Sequence, residues 1–89
     1  MSDFEKASQA METLKAAESR PTQIALQMLN ELANLARGDS EQALEAEEAR
    51  SGALMAICEI GKALHRGQPA DRLWTAAINA TERWMTMAR

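Results

Sequence analysis

The sequence has no valine and no tyrosine, and phenylalanine occurs only once. Isoleucine and threonine together supply nine residues, so the β-branched and aromatic side chains that favour strands are scarce. Alanine occurs eighteen times and leucine nine times, and both residue types favour helices. The composition therefore predicts an all-α fold.

Cysteine occurs once, and neither sign of charge is in large excess. Cys58 by itself cannot form an internal disulfide, which fits a reducing compartment. The net charge of −3 argues against a generally basic nucleic-acid binder. The first residues carry acids and lack the apolar core of a secretory signal, and no run approaches the ~20 apolar residues of a membrane span. We expect a cytoplasmic protein without membrane contact.

Proline and glycine divide the 89 residues into four predicted helices. We expect these helices at about 2–18, 21–37, 40–66 and 69–88. Ser2 and Glu5 have capping-box spacing, Pro21 and Pro69 suit the start of a helix, and Gly38 suits a helix end. Because the connections are short, consecutive helices should be antiparallel neighbours. The prediction is a single-domain antiparallel bundle with a long central third helix, to which the first helix can be attached loosely.

The apolar residues of the second and fourth helices span about half of each circumference, more than the ~100° stripe of a simple surface helix. In a small bundle part of this surface would stay exposed, and large exposed apolar patches mark interaction sites. We therefore expect a protein partner or a second copy to cover it. The residues predicted to take part are Met55, Leu73, Trp74, Trp84 and Met85. The alternative is a monomer in which three helices surround the fourth and hide most of these side chains.

Two glycines, Gly52 and Gly61, lie inside the third helix, where each costs roughly 1 kcal/mol relative to alanine. We expect a packing reason for them, such as a close approach of a neighbouring backbone. Arg50 lies on the main apolar face of the same helix, and a buried arginine needs a carboxylate partner. Glu31 on the neighbouring helix is the candidate, unless the Arg50 head group reaches water.

Acidic residues cluster at the start of the third helix. They are Asp39, Glu41, Glu45, Glu47 and Glu48. Negative charge is favoured at a helix N-terminus, so a solvated acidic end is the simplest interpretation. The alternative is that the cluster imitates nucleic-acid phosphates or docks on a basic groove of a partner.

Catalytic and metal-binding patterns have little support. Cys58 and His65 lie on nearly one helix face but about 10 Å apart along the axis, too far for a direct hydrogen bond. The sequence has no second cysteine or histidine to complete a metal site, and it lacks glycine-rich phosphate loops and nucleophile elbows. We expect no enzyme activity, no metal and no cofactor.

The fourth helix supplies an alternative function. Arg72, Asn79 and Arg83 share its polar face, and arginine and asparagine are residue types that read bases in DNA. Asp71 and Glu82 dilute the positive charge of this face, so an ordinary solvated surface is the simpler interpretation. A DNA-binding transcriptional regulator is the alternative to a protein-binding module.

In length, acidity and helical content the chain resembles small bacterial and phage accessory proteins, including anti-CRISPR and other anti-defence inhibitors. The resemblance covers these general properties and no motif. It implies a non-enzymatic inhibitor or adaptor that occupies a surface of a larger protein complex. A homodimer is the expected state of such a module here, because of its wide apolar faces.

Overall fold

The computed structural model describes residues 2–37 and 44–89, and these ranges contain four α-helices. They are α1 (Asp3–Glu18), α2 (Thr22–Ala36), α3 (Leu44–His65) and α4 (Asp71–Met87). The predicted all-α antiparallel bundle is confirmed, and the helix bounds agree with the prediction to within a few residues. No helix in the described ranges is both long enough and apolar enough to cross a bilayer.

The helices form a square in which each one contacts its two neighbours. α1 and α3 each contact α2 and α4, whereas the described residues of the diagonal pairs do not approach within 8 Å between Cα atoms. With 22 residues α3 is long, as predicted. It is not central, however, because it occupies one corner of the square and leaves its outer side uncovered by the described chain.

The first helix begins with the predicted cap. The Ser2 hydroxyl accepts a hydrogen bond from the Glu5 backbone N–H at 3.1 Å and lies 3.2 Å from the Glu5 carboxylate. Both prolines precede the first helical residue: Pro21 is the N-cap of α2, and Pro69 lies two residues before Asp71, where α4 begins. The predicted helix end at Gly38 lies outside the described residues.

The third helix ends in a Schellman motif. Gly67 has a φ of 65°, a left-handed conformation that favours glycine. The Gln68 N–H donates to the Ala63 carbonyl at 2.9 Å, and the Gly67 N–H donates to the Leu64 carbonyl at 3.2 Å. These bonds satisfy two carbonyls that a helix end otherwise leaves unpaired. The chain therefore turns sharply from α3 into α4.

Alanine dominates the core. In the described ranges it supplies twelve of the twenty buried hydrophobic residues. The largest fully buried side chains are Trp84, Leu14, Leu32, Ile57, Ile60 and Thr81. α1 contributes Ala7, Ala10, Leu14 and Ala17, all without exposed surface, so it is an integral wall of the bundle rather than a loosely attached helix.

Both tryptophans are core residues. Trp74 is 5% exposed and Trp84 is fully buried, which corrects the expectation that the indoles line a partner surface. The physical reason is the rotation of α4, which directs its widest apolar side towards α1 and α3. Leu73 and Met85 are half-buried against the same core. The Trp84 Nε1–H has no hydrogen-bond partner among the described atoms.

The two glycines inside α3 do not mark a close helix approach. A Cβ atom built on Gly52 or Gly61 meets no heavy atom of its surroundings within 4 Å. The expected packing reason is therefore absent within the described part of the chain. Gly52 faces solvent, on the side of α3 that the other helices leave open.

Replacing Trp84 by alanine should lower the free energy of unfolding by about 3–5 kcal/mol, because the change empties the centre of the core. Trp84→Phe should cost clearly less, since a phenyl ring fills much of the volume and removes a donor that is buried without a partner. Urea unfolding followed by circular dichroism measures both losses. Met55→Ala at an exposed site is the control and should change stability by less than ~0.5 kcal/mol. Equal losses for the two Trp84 variants would contradict this account of the core.

Candidate functional site

The candidate site is the exposed side of α3, opposite the buried residues of that helix. We call it the outer face of α3 and define it by the exposed residues Leu44, Glu48, Met55, Glu59 and Lys62. Leu44 is 73% exposed and Met55 is 69% exposed, the highest values among the large hydrophobic side chains described. Eleven residues separate them, which places them about 20° apart around the helix and about 16 Å apart along it. Leu44 and Met55 are therefore aligned along the helix axis, and we call them the apolar pair.

The charges of α3 are divided between its two ends. Glu45 and Glu48 are exposed in the first turns, whereas Lys62 and Arg66 are exposed at the other end. The Lys62 ammonium lies 3.3 Å from the Glu59 carboxylate, and both side chains are more than half exposed. Such a solvated pair contributes little to stability. These charges are therefore available to a binding partner.

The structure separates the predicted acidic cluster. Asp39 and Glu41 lie outside the described residues. Glu45 and Glu48 are exposed, whereas Glu47 is half-buried and forms an ion pair with Arg50. Glu48 thus belongs to the outer face of α3 and Glu45 lies beside it, whereas Glu47 stabilises the fold.

Arg50 links α3 to α2. Its side chain is 12% exposed, and its Nε–H donates to the Glu47 carboxylate at 3.1 Å. The guanidinium also donates to the carbonyl of Ala36, the last residue of α2. A positive charge is favoured there, because the C-terminal end of a helix carries partial negative charge. The partner predicted from the sequence, Glu31, is wrong: the carboxylate one turn away on α3 is within reach without bridging two helices.

Cys58 and His65 line an open groove of about 190 Å³ between α2 and α3. Its wall includes Leu29, Ala33 and Gly61. Cys58 is half-buried and His65 is exposed. Ligand pockets usually hold about 300–1,000 Å³, so this groove is small for a ligand site. The described residues contain no group of three or more histidine, cysteine or acidic side chains that could hold a metal ion.

The polar side of α4 carries the three residues that the sequence analysis predicted to contact DNA. Arg72, Asn79 and Arg83 are all exposed, and their spacing places them within about 40° of one another around the helix. Asp71 and Glu82 are exposed nearby. The face therefore presents two arginines and an asparagine next to two exposed acids.

Of the predicted apolar site residues, Met55 alone is exposed, and the structure adds Leu44. Sequence reasoning did not select Leu44 as a site residue. Its spacing of three helical turns from Met55 is the feature that could have identified it. Comparison of the chain with protein-family models, with curated proteins and with solved structures gives no match. The site is thus a solvent-facing helix surface in a small all-α bundle, and it is defined by this chain's own geometry.

Arg50→Ala should lower the free energy of unfolding by about 1–3 kcal/mol, because it leaves the half-buried Glu47 carboxylate and a terminal carbonyl of α2 without this donor. Arg50→Lys should recover part of the loss, since lysine keeps the charge but not the planar fork. Lys62→Ala, which removes an exposed ion pair, is the control with an expected loss below ~1 kcal/mol. Urea unfolding measures all three variants. A loss for Arg50→Ala no larger than that of the control would refute the linking role.

Proposed function

We propose that the chain is a non-enzymatic protein-binding module that occupies a surface of a larger protein complex, as a small acidic inhibitor or adaptor. The observation that supports this most is the outer face of α3, where Leu44 and Met55 remain 73% and 69% exposed. The same chain buries both of its tryptophans. The two most exposed large hydrophobic side chains in the described ranges therefore share one face, whereas Ile24 and Met87 are less exposed and lie singly on α2 and α4.

The spacing of the two apolar side chains suits a groove on another protein. Helices that bind in grooves use anchors on one face, separated by whole turns. Leu44 and Met55 meet this condition, and exposed Gly52 leaves open space between them. Methionine is flexible and adapts to irregular apolar surfaces. The partner groove should therefore be apolar along about three helical turns.

The charge next to the apolar pair indicates the character of the partner's rim. Glu45 and Glu48 are exposed beside Leu44. Asp39 and Glu41, which precede them in the sequence, lie outside the described residues. Complementary charge increases the association rate and suppresses wrong partners. A groove with a basic rim fits this end of α3, and its binding should weaken as salt is added.

A second candidate function rests on α4. The exposure of Arg72, Asn79 and Arg83 on one side of that helix favours a DNA-binding regulator. The overall charge of −3 and the exposed acids on the same helix oppose it, because phosphates repel them. We therefore rank it below the protein-binding function.

Met55→Asp should abolish capture of the partner from a lysate of the source cells, because it places a carboxylate in the apolar line of the outer face. Ala76→Asp is the matched control, since it introduces the same charge at an exposed position in the middle of α4. A protein retained by the wild type and by the control but lost with Met55→Asp is the expected result. Circular dichroism confirms that both variants fold. Equal retention by all three baits, or no retained protein, would overturn the proposal.

The second candidate predicts retardation of random DNA in a gel shift at low salt, which should weaken steeply as salt is added. Arg72→Ala and Arg83→Ala should each weaken the shift, and Arg20→Ala, at an exposed position outside α4, should leave it closer to wild type. Absence of any shift at low salt would exclude this function.

A further inference from the structure

We infer that the outer face of α3 is self-complementary, and that a second copy of this chain covers it in an antiparallel pair when no other protein is bound. This inference rests on the proposed function, because it takes the outer face of α3 as a protein-binding surface. It adds which protein covers that surface in the purified state.

The first argument is the order of charges along the face. Met55 lies midway between Glu48 and Lys62, seven residues from each. Seven residues are nearly two helical turns, so both charges lie about 10 Å from Met55 along the axis and about 20° to either side of it. All three side chains are exposed. An acid and a base are thus placed symmetrically about an exposed apolar centre.

The second argument is two-fold symmetry. A symmetric pair uses the same patch on both copies, so each residue contacts the counterpart of its own contact. An antiparallel pair with its axis at Met55 brings Glu48 opposite Lys62 of the second copy, and this contact occurs twice. It also places Leu44 opposite the aliphatic stem of Arg66 of the second copy, which is an apolar contact.

Other arrangements bring like charges together. A parallel pair in register places Glu48 beside its own counterpart, and Lys62 likewise. Moving the antiparallel axis by one turn to Gly52 places Glu45 opposite Glu59, and both are exposed acids. Like charges directly opposite each other are unfavourable. Of these three arrangements, the antiparallel pair with Met55 at its centre is the one that places no like charges opposite each other.

The third argument is the space beside Met55. A Cβ atom on Gly52 would meet no heavy atom of its surroundings within 4 Å, so nothing in the described chain occupies that position. Gly52 is one turn from Met55 and is exposed. The flexible Met55 side chain of the second copy can lie in this space. The pair thus accounts for a glycine that packing within the chain leaves unexplained.

The size of the face sets the strength of the pair. The 22 residues of α3 extend roughly 33 Å, and one face of a single helix buries less than the ~800 Å² per partner of a standard interface. The dissociation constant should therefore be micromolar or weaker, and the pair should form reversibly. Reversible pairing leaves the outer face of α3 accessible to a larger partner.

Charge exchange in the full chain tests the pair by sedimentation equilibrium over a dilution series. Glu48→Lys alone and Lys62→Glu alone should each raise the dissociation constant at least about fivefold, because each variant pair contains two like-charge contacts. An equimolar mixture of the two variants should recover association near the wild-type level, since the mixed pair contains two opposite-charge contacts. Met55→Asp should remove association. Glu12→Lys, at an exposed site on the diagonally opposite helix α1, is the charge-matched control and should dimerise like the wild type.

The outcomes separate this inference from the proposed function. A wild-type chain that stays monomeric up to on the order of 1 mM overturns the pair, whatever the lysate experiment shows. The pair is also overturned if neither charge variant changes the dissociation constant. It is likewise overturned if mixing the two variants does not restore association. Charge-dependent dimers combined with no captured protein support the pair and overturn the inhibitor or adaptor role. Circular dichroism of every variant verifies that lost association does not reflect lost folding.

Discussion

The structure depends on close packing of four helices through alanine. Alanine supplies twelve of the twenty buried hydrophobic residues in the described ranges, so the helix axes can approach while few large side chains are needed inside. Trp84 and a small set of leucine and isoleucine residues fill the remaining volume. A chain of this length buries a limited core, so each of these large side chains matters for stability. Because the core is narrow, each helix directs only one of its sides towards it.

Because each helix lies at a corner of the square and contacts two neighbours, its outer side is not covered by the other described helices. On α3 the inward side is supplied by Ala53, Ile57 and Ile60, which are almost completely buried. Leu44 and Met55 are not needed for this core and face solvent. Arg50, whose side chain is 12% exposed, lies on the inward side beside the buried residues and ties α3 to the end of α2. The rotation of α3 is thus held by both apolar and ionic contacts, and the outer face is presented in a defined orientation.

The same face has two properties that bear on function. Its apolar pair and neighbouring acids suit an apolar groove with a basic rim. Its exposed acids at the N-terminal end and exposed bases at the C-terminal end suit a second copy that lies antiparallel to it. These occupants would compete, since both need Met55. Weak self-association would then protect an exposed apolar surface from nonspecific contacts and yield to a partner that covers more area. The remaining surface of the described chain has no comparable concentration of apolar exposure.

The sequence by itself determined the local structure. Composition and the positions of proline and glycine predicted four helices, and the Ser2–Glu5 cap formed as its spacing indicated. Both features depend on residues within one turn of each other, so they can be predicted without the tertiary structure. The tertiary structure decided which side of each helix faces inward. An apolar arc of about half the circumference is compatible with several rotations, and only packing against neighbours selects one. That selection buried the two indoles, moved α3 from the centre to a corner, paired Arg50 with Glu47 instead of Glu31, and left Leu44 and Met55 exposed.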